Sequence, residues 1–205
     1  MVMTPIGRWF VGWNAFTAAQ RLNAAASTLC DEQFVADVAD YVTAVPDEVL
    51  LTLLELGHRP ARSPEVNMLF YDQGADVAVV LNRFQRDEAE ALARSGRNGP
   101  HRHGFDFATR LLTGGYQHVS LTAGNDGELD AEVKTYYAGV VYRLKRTQVH
   151  LVTDTEDGTE TLMLRVNHSF RPSPDRSPLT HEALSERRRN ILAALHRAAP
   201  LANGG

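Results

Sequence analysis

Hydrophobic positions change period near residue 65. Before that point apolar residues recur at helical spacing. Phe16 to Leu29 is an alanine-rich stretch with such a stripe, and Asp31 to Val42 carries Phe34, Val35, Val38, Ala39 and Val42 on one helical face. Pro46 suits a helix start and Asp47 and Glu48 favour its first turn. The run Val49 to Leu56 then stops at Gly57. His58 to Glu65 contains Pro60 and Pro64 and reads as an irregular linker.

Beyond it the segments are short and rich in Val, Leu, Tyr and Thr. Strands are expected at Val66–Tyr71, Val77–Phe84, Phe105–Leu112, Gln117–Thr122, Thr135–Leu144, Val149–Val152 and Thr161–Val166. Turn chemistry separates them at Asp72-Gln73-Gly74, Thr113-Gly114-Gly115, Gly124-Asn125-Asp126-Gly127 and Glu156-Asp157-Gly158. Many short strands with glycine turns mean a sandwich or barrel, not alternating βαβ units. Arg86 to Asn98 reads as a short helix and loop over the barrel mouth, and Arg171 to Pro178 as a connector. Leu179 to Ala198 reads as a closing helix, with Thr180 as N-cap and Ile191, Leu192 and Leu195 near one face. The basic cluster Arg187-Arg188-Arg189 reads as a solvated face of that helix.

Composition narrows the function classes. The 205 residues are 43% hydrophobic and 22% charged, with net charge −4, which describes an ordinary globular chain without the basic face a nucleic-acid partner needs. No apolar run approaches the roughly 20 residues of a bilayer-spanning helix, so no membrane partner is expected. Met1 to Phe16 lacks the basic start and apolar stretch of a signal peptide. The single cysteine, Cys30, cannot form an intramolecular disulfide. A cytoplasmic location is the expectation these features give.

Candidate chemistry concentrates in Gly99 to Gly115. His101 and His103, one residue apart, point to the same face if they lie on a strand, and neutral imidazole is the commonest metal ligand near neutral pH. Taken alone, the pair reads equally well as two loop histidines after Gly99-Pro100. A third nitrogen would come from His150, in the strand-like segment Thr147 to Val152, with His168 and His118 as rivals. Trp9 and Trp13 read as packing residues, and His58, His181 and His196 as loop or surface histidines.

The pattern from the glycine before His101 through His-x-His to Gly115 resembles the first cupin motif, whose variable ligand slot falls on Ala108. His150 and its surroundings are similar to the second. The resemblance is closest to the cysteine dioxygenase branch, and the Asp72-Gln73-Gly74 hairpin and the helical N-terminal third fit it as well. It covers residues 66 to 166 well and the flanks in outline. It implies a mainly β cupin-type jelly-roll barrel over residues 66–170, a helical segment over 1–65 packed on it, and a connector and helix over 171–205, all in one structural domain. It also implies three histidines on Fe(II), with Zn(II) or Ni(II) as alternatives, since imidazole suits all three metals.

The chain departs from that family where the family holds its substrate. The arginine that grips the substrate carboxylate is replaced by Met68. The two crosslink positions of animal members read Ala108 and Asn167, and the substrate-binding histidine reads Arg165. The metal cradle is therefore expected to stay while the substrate shell is rebuilt, with Arg165, or else Arg110, anchoring an acidic group, because a guanidinium matches a carboxylate in geometry. Tyr116 is a candidate hydrogen-bond donor near the metal. The reading is an oxygenase adding dioxygen to a small polar thiol, amino acid or carboxylic acid other than L-cysteine. Two alternatives stand beside it: a non-redox Zn or Ni isomerase, lyase or bond-forming enzyme, and a small-ligand-binding barrel without catalysis. An exposed barrel edge and the terminal helices leave the chain a monomer or a homodimer.

Overall fold

The computed structural model describes residues 4–57, 64–85, 99–123, 128–167, 179–198 and 200. Two short 3-10 turns, Gly7–Phe10 and Trp13–Ala15, precede the helices α1 (Ala18–Leu29), α2 (Glu32–Ala44) and α3 (Asp47–Gly57). Eight strands follow: β1 (Glu65–Asp72), β2 (Val77–Phe84), β3 (Asp106–Thr113), β4 (Gly115–Ala123), β5 (Leu129–Tyr137), β6 (Val141–Leu144), β7 (Val149–Thr153) and β8 (Thr159–Val166). Helix α4 (His181–His196) closes the chain. The segments Arg86–Asn98, Gly124–Gly127 and Arg171–Pro178, most of the linker His58–Glu65, and His168 lie outside the described residues.

Local chemistry explains the helix starts. Thr17 and Gln20 form a reciprocal capping box on α1, and the Asp31 side chain accepts from Gln33 N at the start of α2. Thr180 caps α4 as its sequence position suggests. The expected helix Phe16–Leu29 begins two residues later, because Phe16 and the capping Thr17 are extended.

The strands make two antiparallel sheets, ordered β1-β2-β8-β3-β6 and β5-β4-β7. His101 pairs as an isolated antiparallel bridge with His150 of β7. With that bridge counted, the orders β2-β8-β3-β6 and His101-β7-β4-β5 give eight positions wound as a jelly-roll barrel. In chain order the second of these positions, His101, is a single residue. Two expectations are corrected here. Thr135–Leu144 is not one strand: the chain turns at residues 138–140, with Gly139 at φ 87°, and passes from β5 in the small sheet to β6 in the large one. The histidine pair does not open β3, which begins only at Asp106, after a bend.

The chain also changes sheets between β3 and β4, at Gly114 and Gly115. Gly114 has φ 68°, and a Cβ there would run into Thr159, whose Cα would lie 3.0 Å away. The Thr159 hydroxyl closes the corner, bonding Gly115 O and Gly115 N, each at 3.1 Å.

The five-stranded sheet has two different faces. Leu69, Val77, Val79, Leu81, Ala108, Leu112, Leu162, Leu164 and Val166 share one core with Phe10, Trp13, Leu29, Phe34, Val38 and Ile191 from the helical layer. On the opposite face, cross-strand registers align Phe107 with Arg165 and Ala78, and Thr109 with Met163 and Val80. This second face looks into the barrel.

Strand parity therefore decides where Arg110 goes. It lies on the helix side, fully buried, and donates to both carboxylate oxygens of Glu32 at 2.8 and 3.0 Å and to Leu29 O at 3.4 Å. Arg110 thus ties the last turn of α1 to the first of α2, and its proposed role in substrate binding is withdrawn. Met68, fully buried, packs with Ala78 and Val80. Replacing Arg110 with Met keeps its stem but leaves the Leu29 carbonyl and Glu32 without their donor. Urea unfolding should show a loss of about 1–3 kcal/mol, with metal binding unchanged.

Candidate metal centre

Two backbone hydrogen bonds fasten His101 to β7: His101 N donates to His150 O, and His150 N donates to His101 O, both at 2.9 Å. His103 lies two residues on, and its ring is 5.0 Å from that of His150 and 4.9 Å from that of His101. One nitrogen from each of His101, His103 and His150 falls in a group whose members all lie within 4.8 Å of one another. His101 is exposed, His103 half-buried and His150 buried, so the cluster sits at the barrel mouth.

The ring partners fix which nitrogens face the centre. His101 Nδ1 lies 3.0 Å from Gly99 O, so it carries the proton and leaves Nε2 free. His150 Nδ1 lies 3.0 Å from His118 Nε2, which again leaves Nε2 for an ion. His103 Nε2 and His150 Nε2 are 2.8 Å apart. Two nitrogens about 2.0–2.1 Å from a common ion have that spacing when they occupy neighbouring corners at about 90°. The donor set therefore fits a divalent metal of the imidazole-binding class.

His118, the rival ligand, instead stands behind His150. Its ring stacks at 4.9 Å on that of His150, and its Nδ1 is 3.4 Å from Ser120 Oγ. If His150 Nδ1–H donates to His118 Nε2, then His118 Nδ1–H donates to Ser120, and both tautomers are set in series. A partner of this kind holds a metal-binding ring in orientation and raises its basicity. Burial, followed by the Lys134 charge, pushes the His118 pKa down to about 4. Burial, followed by His103, His101 and His118, pushes that of His150 down to about 2. Both rings are therefore neutral at pH 7, the form a metal requires.

The inward slot five residues after His103 was placed at Ala108. Ala108 belongs to the core shared with the helices, so that assignment is corrected. Phe107 faces inward instead, with its ring 5.1 Å from His103 and 6.0 Å from His150. A carbon ring, with no donor atom, lies beside two of the three histidines. The absence of a carboxylate there thus holds for a different residue.

Arg165 is on the inner face, and its guanidinium lies 4.8 Å from the centroid of Phe105, whose ring stacks 5.0 Å from His103. Asp106, at the start of β3, accepts from Arg146 N at 2.7 Å and from Asn167 Nδ2 at 2.7 Å. Asn167 lies by α1, donating to Ala18 O at 3.1 Å. Tyr116 is buried and shares a 2.6 Å hydroxyl contact with Tyr142, so it does not reach the histidines directly. Tyr142 does, with its ring 5.2 Å from His118. Burial raises the pKa of both phenols, keeping them protonated. Phe105, Phe107, Ser120 and Tyr142 were not singled out from sequence. The bend at residues 104–105 breaks the alternation between His103 and β3, so no sequence parity marks the first two. His58 and His168 lie outside the described residues.

No protein-family model matches the chain, and no curated protein is detectably similar in sequence. Solved structures that align with it include an RmlC-like cupin family protein from Methanocaldococcus jannaschii, at 15% identity over 54% of this chain and 86% of that one, TM-score 0.36. KdgF from Halomonas sp. aligns at 15% identity over 51% and 80%, TM-score 0.34. A mutant oxalate decarboxylase from Bacillus subtilis aligns at 15% identity over 47% of this chain, TM-score 0.34, and the match spans 22% of its length. Likeness at this level says nothing of chemistry. Among the described residues no helix is long and apolar enough to cross a membrane.

The site makes two predictions. His150→Ala should abolish stoichiometric Zn(II), Ni(II) or Fe(II) binding in titration calorimetry. His118→Phe, which keeps the ligands but removes the acceptor behind His150, should weaken binding by about 10–100-fold, with partial recovery in His118→Gln. The metal-free protein should also lose stability below about pH 6.5. There an unfolded chain protonates residues 118 and 150, whereas the folded one resists until about 4 and about 2. Unfolding free energy should therefore fall as pH drops from 6.5 to 4, by an amount on the order of a few kcal/mol, and His118→Phe should flatten the slope.

Proposed function

We propose that this chain is a metal-dependent cupin enzyme in which His101, His103 and His150 hold one Fe(II), and that it adds dioxygen to a small polar substrate other than L-cysteine. The observation that carries the reading is the convergence of three imidazoles, with the ring of Phe107 rather than a carboxylate beside His103 and His150. Three protein nitrogens leave the remaining positions to exogenous ligands. A bound Fe(II) would supply coordination positions for substrate and dioxygen together, and the one-electron chemistry dioxygen requires.

The chain's own residues do the rest. Phe105 and Phe107 line the site with apolar surface and limit water around the histidines. The Ser120–His118–His150 series holds a defined proton arrangement behind one ligand. Arg165, resting on Phe105 beside His103, is the residue we assign to the acidic group of the substrate. The guanidinium lies one ring away from a metal ligand, a reach suited to a substrate carrying its metal-binding group and its carboxylate a few bonds apart. Substrate and dioxygen would reach the site from the mouth, where His101 is exposed.

A non-redox Zn(II) or Ni(II) enzyme uses the same three nitrogens, since the donor set does not choose among these metals. Metal reconstitution under anaerobic conditions, followed by oxygen uptake with a panel of thiols, amino acids and carboxylic acids, separates the readings. Fe(II)-dependent uptake with at least one panel member is the expected result. Preferential Zn(II) or Ni(II) retention without uptake would favour the non-redox enzyme, and failure to retain any metal would leave a ligand-binding barrel. With the active substrate, Arg165→Ala should raise KM at least about tenfold, the loss of one charge-assisted pair, and leave metal affinity unchanged. An unaltered KM would remove Arg165 from substrate binding.

A further inference from the structure

Strand β5 ends the small sheet, and among the described residues nothing pairs with its outer edge. It is nine residues long, and every one except Tyr136 is exposed. Leu129, Val133 and Tyr137 are 68%, 57% and 60% exposed, the largest apolar exposures in the barrel. Edge strands are usually blunted by proline, by bulges or by unmatched lysines. Here there is no proline, the pairing with β4 runs without a register shift, and the one lysine, Lys134, has Glu132 beside it at 2.9 Å.

Hydrogen-bond alternation shows which backbone groups are available. Ala138 N donates to Gly114 O, one step beyond the Gly115–Tyr137 pair. Since bonded and non-bonded pairs alternate in an antiparallel ladder, the even-numbered residues of β5 bond to β4. Leu129, Ala131, Val133, Thr135 and Tyr137 turn their N–H and C=O groups outward. Their side chains share the outer face of the sheet with Val119, Leu121, Val149 and Leu151, opposite the face that carries Tyr136, His118 and His150.

We propose that β5 pairs antiparallel with β5 of a second copy of this chain, about a two-fold axis at Val133, joining two small sheets into one. The charges select this register. With the axis at Val133, each Glu132 faces the partner's Lys134 and each Lys134 the partner's Glu132, while Leu129 meets Tyr137, Ala131 meets Thr135 and Val133 meets itself. All nine residues of each strand are paired. Moving the axis to Glu132 sets glutamate against glutamate, to Lys134 lysine against lysine, and to Ala131 Asp130 against Glu132. Only the Val133 axis combines full overlap with opposite charges across both symmetric pairs, and cross-strand charge pairs and apolar pairs are what stabilise such a ladder. The contact is isologous and closes at two copies.

Sedimentation of the full chain over a concentration series tests the pairing. A reversible dimer is expected. Val133→Pro removes an outward N–H at the axis without touching a β4 bond, and should give a monomer that still takes up metal. Glu132→Lys should raise the dimer dissociation constant roughly tenfold by placing like charges opposite each other. The double variant Glu132→Lys with Lys134→Glu should restore it. A monomer at every concentration overturns the proposal. So does a dimer that survives Val133→Pro, or a charge swap that fails to restore affinity. Should Val133→Pro not fold, the single and double charge variants decide.

Discussion

Two hydrogen bonds of 2.9 Å tie the backbone of His101 to that of His150, and the centre depends on them. One histidine comes from an irregular stretch before β3 and the other is the second residue of β7. Without the bridge, the His101–His103 segment would have no neighbour to fix its distance from the small sheet. The bridge turns a loop into a one-residue strand at the second position of the jelly roll. A short insertion or a proline between residues 99 and 103 would therefore disturb the centre more than a larger change in an outer loop.

The helical layer supplies the stiffness behind the sheet that carries Phe107 and Arg165. Its aromatic packing joins the first 3-10 turn to the sheet: Phe10 stacks at 5.7 Å on Phe70 and meets Trp13 edge-on at 5.0 Å. Asp37 locks this segment down, accepting from Trp9 Nε1 at 2.7 Å and Gln33 Nε2 at 3.0 Å and pairing with Arg8. Burial alone would raise the Asp37 pKa, but the hydrogen bonds from Gln33, Trp9 and Arg8 outweigh it and hold it low. The carboxylate thus stays charged at the point where it is needed. Arg110 does the same from the sheet side. The charges spent on assembly and the groups assigned to chemistry stand on opposite faces of one sheet.

That division explains what could be read from the chain and what could not. Helices α1 to α3 follow from apolar periodicity, because each buries one face, and strands β2, β7 and β8 from short Val- and Leu-rich runs. The histidine cluster was legible because a His-x-His pair and a later strand histidine are separate signals that agree. The faces of Arg110 and Ala108 were not legible, because the bend at residues 104–105 separates the histidine pair from β3 and a motif count across it does not fix strand parity. The break between β5 and β6 escaped notice because Ala138-Gly139 interrupts a run of strand-forming residues without altering its composition. Ser120 and Tyr142 carry no sequence signal that separates them from other polar barrel residues, and only the fold brings them toward His118.

The interior is graded, and the grading constrains any reaction at the mouth. Next to the histidines lie Phe105 and Phe107, which offer no donor to an anion. Deeper in, Tyr116 and Tyr142 bind each other through their hydroxyls, and their raised pKa values keep them neutral. His118 and His150 are held neutral by burial. Among the described residues, the guanidinium of Arg165, set over Phe105, brings positive charge to the inner face near the three nitrogens. A bound divalent ion would add its own positive charge beside it. Such a field favours a substrate bearing two anionic or electron-rich groups, one for each positive centre, over a neutral or cationic one.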